Sequence, residues 1–127
     1  MLPLRKLAQH PLLPEASEEE TNKRSVVVCK ARGDNLVVSA TEAFALHTGY
    51  ETADIIGKNL RLLQGEQTSL AARQLFRHLI SNRMSGVVDI LNYHRSGKPF
   101  FHRVELHPVF DQAKQVDFII AMQTPID

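Results

Sequence analysis

The sequence predicts an α+β domain built on one antiparallel sheet of five strands. Strand-like runs occur near both ends of the chain, helix-like segments lie between them, and the links between the last strands have the length of hairpins. The chain has 127 residues, of which 43% are hydrophobic and 23% charged, and these values suit a single globular domain.

The first two strands form a predicted hairpin. Residues 25–29 are rich in valine, a β-branched residue that favours strands. Gly33, Asp34 and Asn35 are typical turn residues, and residues 36–39 form a second short apolar run.

Helices are predicted in the middle of the chain. Ser39 followed by Glu42 has the spacing of a capping box, and Gly49 is a suitable residue for ending the helix that follows. Residues 52–56 predict a helical turn, and residues 69–80 predict the longest helix. Its apolar residues recur at helical spacing, at Leu70, Ala72, Leu75, Phe76, Leu79 and Ile80.

Three further strands are predicted at residues 86–95, 99–110 and 115–124. Successive side chains of a strand point to opposite faces of the sheet, so each strand has one largely apolar face. On that face each strand also carries one polar residue, Asn92, His102 or Gln123. Each of these residues alone is commonly satisfied by a neighbouring backbone group. Three of them on one face favour a binding site for a planar ligand edged with donors and acceptors.

The motif Gly57-Lys-Asn-Leu-Arg-Leu-Leu-Gln-Gly65, taken with Asn92-Tyr93 and the strand around Gln123, resembles the LOV branch of the PAS domains. The members of this branch are blue-light receptors that hold a flavin. The resemblance covers about residues 25 to 124. It implies a PAS fold, in which a helical cap lies over one face of the five-stranded sheet.

The resemblance also implies which residues hold the cofactor. Amides read the polar edge of the flavin in this family, at the positions of Asn59, Gln64, Asn92 and Gln123, and His102 replaces a further asparagine. Two arginines contact the ribityl phosphate, at the positions of Arg61 and Arg77. A guanidinium fork is well suited to a phosphate. FMN, bound without a covalent bond, is therefore the expected cofactor, with riboflavin or FAD as alternatives.

Leu60 is the main departure from the family pattern. The family has at this position the cysteine whose thiol adds to the photoexcited flavin, and leucine has no nucleophile. The only cysteine, Cys29, lies on the first predicted strand. A thiol on that strand could replace the missing chemistry, but the favoured interpretation is a small buried hydrophobic residue.

Two functions follow from this pattern. The preferred one is a sensory PAS/LOV-like module that binds a flavin non-covalently and signals by a redox or adduct-independent light response. The alternative is a ligand-free PAS module for protein–protein interaction or dimerisation, with a vestigial flavin pocket. An enzymatic role is the least favoured interpretation, because we find no catalytic triad, paired carboxylate motif or metal-binding spacing in the sequence.

The remaining expectations concern organisation and partners. We expect an N-terminal extension at residues 1–24, the PAS/LOV-like domain at residues 25–124, and a short C-terminal end at residues 125–127. The extension carries five leucines, and we expect it to pack on the outer face of the sheet. That face would also contact a second copy or a partner signalling domain. Its apolar residues are Leu91, Tyr93, Phe101, Phe118, Ile120 and Met122.

Charge and hydropathy give the last expectations. The net charge of +1 gives no reason to expect a nucleic acid or an anionic membrane as partner. No apolar run approaches the roughly 20 residues of a membrane span, and the N-terminus is a poor signal peptide. We therefore expect a cytoplasmic location and leave a nuclear one open.

Overall fold

Five strands form one antiparallel sheet in a computed structural model that describes residues 24–110, 113 and 116–126. The strands are β1 (Val26–Lys30), β2 (Val37–Ala40), β3 (Gly86–Tyr93), β4 (Pro99–Phe110) and β5 (Val116–Ile126). Their order across the sheet is β2-β1-β5-β4-β3, so the last strand lies between the first strand and the two that precede it in the chain. The predicted α+β class and the five-stranded antiparallel sheet are confirmed.

The helices lie between β2 and β3 in the chain. They are α1 (Glu42–Thr48), α2 (Thr52–Ile55), a 3₁₀ turn (Leu60–Leu63) and α3 (Leu70–Ser81). Their buried residues Phe44, Ile55, Leu63 and Leu79 share one hydrophobic cluster with alternate residues of the strands. The helices therefore cover one face of the sheet, which we call the inner face.

The predicted capping box at Ser39 and Glu42 is wrong. Ser39 belongs to β2, and Thr41 is the N-cap of α1. The Thr41 hydroxyl makes no bond to the helix. Instead it accepts a hydrogen bond from the Val26 backbone N–H at 3.0 Å and donates one to the Arg24 carbonyl. The short polar side chain therefore fastens the start of β1, a long-range role that local spacing does not reveal.

Two other helix ends lie where the sequence predicts them. Gly49 ends α1 with a left-handed backbone, at φ 78°, which glycine adopts without steric cost. Ser69 caps α3, because its hydroxyl accepts a hydrogen bond from the Ala72 backbone N–H at 3.0 Å. The remaining element boundaries differ from the predictions by one or two residues, as expected at frayed ends.

The two faces of the sheet carry different residues. Val27, Val88, Ile90, Val104 and Leu106 are buried on the inner face. A separate cluster of Val26, Val28 and Ile120 lies on the outer face, with Phe118 and Met122 packed against it. Phe101 is 44% exposed and faces away from the inner cluster, as predicted.

Most of the extension lies outside the described residues, as do Asp127 and part of the turn after β4. The expectation that the extension packs on the outer face therefore stays a prediction. Within residues 24–110, 113 and 116–126, no helix has both the length and the apolar character needed to span a bilayer.

Candidate functional site

The segment between Gly57 and Gly65 is held by Asn59. The Asn59 Oδ1 atom accepts a hydrogen bond from the Arg61 backbone N–H at 2.8 Å and so caps the 3₁₀ turn. Its Nδ2 atom donates to the Asp34 carbonyl in the hairpin loop between β1 and β2. Asn59 therefore ties the motif to this loop.

Arg61 points to the same loop. Its Nη2 atom donates to both carboxylate oxygens of Asp34, at 2.9 and 3.0 Å. Both side chains are more than half exposed, so water screens this ion pair.

An outer cleft of about 170 Å³ opens beside the motif. Four predicted site residues line it, namely Asn59, Arg61, Gln64 and Arg77. The remaining lining residues are Asn35, Arg73, Phe76, Ile80 and Ser81. Polar and cationic side chains therefore surround this cleft, which makes it suited to an anionic group.

The three arginines of the outer cleft differ in how they are engaged. Arg61 pairs with Asp34, and Arg73 donates from Nη2 to the Gly65 carbonyl at 2.8 Å. The Arg77 guanidinium has no hydrogen-bond or ion-pair partner within the described part of the chain. Among the three arginines, Arg77 is therefore the one that could bind an anion without first giving up a partner in the described part of the chain.

An inner cavity of about 30 Å³ adjoins the outer cleft. Asn35, Asn59, Phe76 and Ile80 line both spaces. Leu60 lines the inner cavity and is half-buried. The other residues that line the inner cavity are Cys29, Leu106, Ile119 and Ala121. Leu60, at the position of the family's reactive cysteine, therefore lies where the inner face of the sheet meets the 3₁₀ turn.

Asn92 and His102 are buried on adjacent strands and bond to each other. Asn92 Nδ2 lies 3.0 Å from His102 Nδ1. An amide nitrogen only donates, so Nδ1 accepts and the proton of the neutral ring lies on Nε2. His102 is 0% exposed, yet its Nε2 atom has no hydrogen-bond partner. The inner face of the sheet therefore presents one unpaired N–H donor.

The pKa of His102 fits a neutral ring. Burial, together with the charge of nearby His47, lowers this pKa from 6.5 to about 4. The His102 and Phe100 rings also meet in a T-shaped contact, with centroids 4.6 Å apart and planes at 81°. His102 thus acts as a donor in an apolar setting and stays uncharged near neutral pH.

Gln123 is buried but faces a different space. Its Oε1 atom accepts a hydrogen bond from the Ser25 hydroxyl at 3.3 Å. Together with His47 it lines a separate cavity of about 290 Å³ near the start of β1. The structure therefore does not bring Gln123 to the inner cavity.

Cys29 is a buried neutral thiol. Burial raises its pKa to about 12, so the thiolate form is strongly disfavoured at neutral pH. The side chain packs in the inner hydrophobic cluster. This setting agrees with the favoured interpretation of a small buried hydrophobic residue.

The sequence pattern does not point to Arg73, Asn35 or Asp34 as site residues. Arg73 lines the outer cleft one helical turn before Arg77, and this spacing of four could have revealed it. Asn35, with a positive φ of 54°, also lines the cleft, and Asp34 beside it pairs with Arg61; both belong to the hairpin loop, whose residues predict only a turn. Within the described residues, no cluster of three or more histidine, cysteine or acidic side chains could hold a metal.

Known proteins match both the sequence and the fold. A family model described as PAS domain matches residues 24–124. The chain is 37% identical over 93 residues to a blue-light-activated histidine kinase of Brucella anthropi, and this match covers 73% of the chain and 19% of the kinase. It is 33% identical over 105 residues to phototropin-1A of Oryza sativa subsp. japonica, covering 83% of the chain and 11% of that protein. The chain thus spans a small part of these curated relatives.

Two solved structures agree with these matches. The light-state structure of the blue-light photoreceptor Aureochrome1 LOV superposes with a TM-score of 0.79 at 27% identity, and the match covers 82% of each chain. The LOV domain of a blue-light-activated histidine kinase from Erythrobacter litoralis superposes with a TM-score of 0.77 at 26% identity, covering 81% of this chain and 95% of that one. The chain therefore belongs to the PAS domain family, and its similarity to these structures makes it a PAS domain of the LOV type.

Proposed function

We propose that this domain is a sensory module that binds FMN without a covalent bond and responds to blue light or redox state without forming a cysteinyl bond. The proposal combines the LOV type of the chain with the side chains found at its inner face and outer cleft. The sensory role belongs to the family, whereas the mode of binding and of response is specific to this chain.

The observation that carries the proposal is the unpaired Nε2–H of His102. A buried donor without a partner costs on the order of 1–3 kcal/mol, so native proteins rarely keep one without a reason. A carbonyl oxygen at the edge of a flavin ring would satisfy this donor. Asn92 beside it has an amide oxygen that can accept from a ring N–H.

The outer cleft supports the same ligand at its other end. Arg77 is unpaired within the described chain and would receive a phosphate, and Gln64 and Asn35 offer further donors beside it. Leu60 would contribute an apolar contact that excludes water but no nucleophile. When bound, a flavin supplies blue-light absorption and electron-transfer chemistry.

Binding requires the side chains around the two spaces to move. Small-molecule pockets usually measure about 300–1,000 Å³, which exceeds the inner cavity and the outer cleft taken separately. Phe76 and Ile80 line both spaces, so they are the side chains whose rotation would join them. We therefore expect binding to be slower than diffusion and to rigidify α3.

A second candidate is a ligand-free interaction module, and one feature favours it. The polar groups of the site bond largely to one another, in the pairs Asn92–His102, Ser25–Gln123 and Asp34–Arg61. A vestigial pocket would show such internal hydrogen bonds, because its donors would be satisfied by the protein itself and not by a ligand. Two groups that lack a partner within the described residues, the His102 Nε2 atom and the Arg77 guanidinium, weigh against this candidate.

A fluorescence titration separates the two. FMN at fixed concentration is titrated with the purified protein, and its anisotropy is followed for the native sequence and for Arg77→Gln. Saturable binding that Arg77→Gln weakens for FMN more than for riboflavin would support the proposal. Unchanged anisotropy at every protein concentration would favour the ligand-free module.

The output surface is also a proposal. The relatives named above include a blue-light-activated histidine kinase, in which the matched region is one part of a longer chain. By analogy we propose that the outer face of the sheet contacts a partner signalling domain or a second copy. The ring of Phe101, which is 44% exposed on this face, is suited to such a contact.

A further inference from the structure

Asp34 places a carboxylate on one of the two arginines expected to hold a phosphate. Arg61 lines the outer cleft, and its Nη2 atom lies 2.9 and 3.0 Å from the two carboxylate oxygens of Asp34. A carboxylate and a phosphate present similar oxygen edges to a guanidinium. The two anions would therefore compete for Arg61.

The loop that carries Asp34 holds the carboxylate in this position. The Asp34 carbonyl accepts from Asn59 Nδ2, and Asn35 Nδ2 donates to the Lys30 carbonyl at 3.0 Å. Gly33 and Asn35 both have left-handed backbones, with φ of 64° and 54°. These bonds hold the backbone at Asp34 and Asn35, so the Asp34 carboxylate is placed against Arg61 at the edge of the cleft.

We propose that Asp34 sets the ligand preference of the outer cleft by competing with the ligand phosphate for Arg61. This inference rests on the proposed flavin binding and adds to it a residue that determines specificity. In the native protein Arg77 supplies most of the preference for FMN over riboflavin, and Arg61 supplies little. Removal of the Asp34 charge frees Arg61 and raises that preference.

The exposure of the pair limits the size of the effect. Arg61 and Asp34 are 62% and 56% exposed, so water and salt screen their attraction. We expect Asp34→Asn to raise the preference for FMN over riboflavin by about 1.5- to fivefold at low salt, the range of an exposed charged pair. The gain should shrink as the salt concentration rises.

The test measures dissociation constants for FMN and for riboflavin with four proteins, namely the native chain, Asp34→Asn, Arg61→Gln and the double variant. Asparagine keeps the size of the side chain and the backbone carbonyl that Asn59 uses. The expected result is a raised preference for FMN in Asp34→Asn, little change in Arg61→Gln, and loss of the gain in the double variant.

Asp89→Asn is the matched control. Asp89 pairs with Arg103 on the sheet at 2.9 and 3.1 Å, and both side chains are about half exposed. This variant also removes one negative charge, but at a position away from the cleft, and it should leave the preference for FMN over riboflavin unchanged. If Asp89→Asn raised the preference for FMN as much as Asp34→Asn does, the effect would come from the net charge of the protein alone, and the inference would be overturned.

The remaining outcomes separate this inference from the proposed function. If both flavins bind and Asp34→Asn leaves their ratio unchanged, the competition is absent and only this inference falls. If Asp34→Asn lowers the preference, Asp34 assists the phosphate instead of opposing it. If neither flavin binds to any of the four proteins, the proposed function fails and this inference falls with it.

Discussion

His102 is the buried polar residue of the sheet on which the proposed function depends most. It is fully buried, its Nδ1 atom is committed to Asn92, and its Nε2 atom is unpaired. An asparagine, which the resemblance places here, offers a donor and an acceptor on one amide. Histidine in this tautomer offers the site a donor alone. A ligand edge that faced this ring would therefore need to carry an acceptor.

The buried His102 predicts a loss of stability in acid. Its pKa is about 4 in the folded protein and about 6.5 when unfolded, so the unfolded chain binds more protons between these values. Its contribution is fully present above pH 6.5 and is lost as the pH falls to about 4. The full loss is roughly 3 kcal/mol. Urea unfolding at pH 7.5 and pH 5 should show that His102→Asn loses less stability on acidification than the native protein. Equal losses in both proteins would show that His102 does not titrate in this way.

Leu60 predicts a gain of photochemistry on replacement. If the ring of the flavin lies over the inner cavity, Leu60→Cys in FMN-loaded protein should bleach the blue absorption band on illumination and recover it in the dark. Leu62→Cys is the matched control, since Leu62 lies on the same 3₁₀ turn but does not line that cavity. Bleaching in both variants, or in neither, would mean that the ring lies elsewhere.

At the scale of elements, two glycine turns hold the segments around the motif. Gly49 ends α1 at φ 78°, and Gly57 opens the motif at φ 83°. An added Cβ at Gly57 would meet open space, whereas at Gly49 it would meet the ring of His94. That ring is itself held by Ser96, whose hydroxyl lies 2.9 Å from His94 Nδ1.

These surroundings predict unequal costs of the same substitution. Gly57→Ala should lower the free energy of unfolding by about 1–2 kcal/mol, the usual cost of a left-handed alanine. Gly49→Ala should cost more, by about 1 kcal/mol, because His94 must move and lose its bonds to Ser96. Thermal or urea unfolding of the two variants checks the order. A Gly57→Ala variant that is the less stable of the two would contradict it.

Features that depend on nearby residues agree with the sequence predictions, whereas long-range contacts do not follow from the sequence. The bounds of the strands, the end of α1 at Gly49 and the start of α3 after Ser69 lie within two residues of their predicted positions. The role of Thr41 depends on residues 15 or more positions away, so the local pattern misassigned the cap to Ser39.

The candidate site shows the same difference between local and long-range interactions. The strand period placed Asn92 and His102 on one buried face. The pairing of these two side chains, and that of Arg61 with Asp34, is decided by distances between elements that spacing along the chain does not contain. For this reason the sequence could propose candidate residues for the site but not the side chains with which they pair.

At the scale of the whole molecule, the outer face of the sheet predicts an effect of the extension. Removing residues 1–23 leaves Arg24 and its hydrogen bond from Thr41 in place. If the extension packs on the outer face, its removal should expose the cluster of Val26, Val28 and Ile120 and change the oligomeric state or solubility. Size-exclusion chromatography with light scattering measures this. Unchanged size per subunit and no added binding of a hydrophobic dye would place the extension elsewhere.

The most direct test of flavin binding is the absorption spectrum of the protein after reconstitution. The protein is incubated with excess FMN, desalted and measured, with His102→Ala as the comparison. We expect the native protein to stay yellow, with structured absorption in the blue and about one FMN per chain, and His102→Ala to retain less. A colourless native protein that also leaves FMN fluorescence unchanged would contradict flavin binding and favour a ligand-free PAS domain.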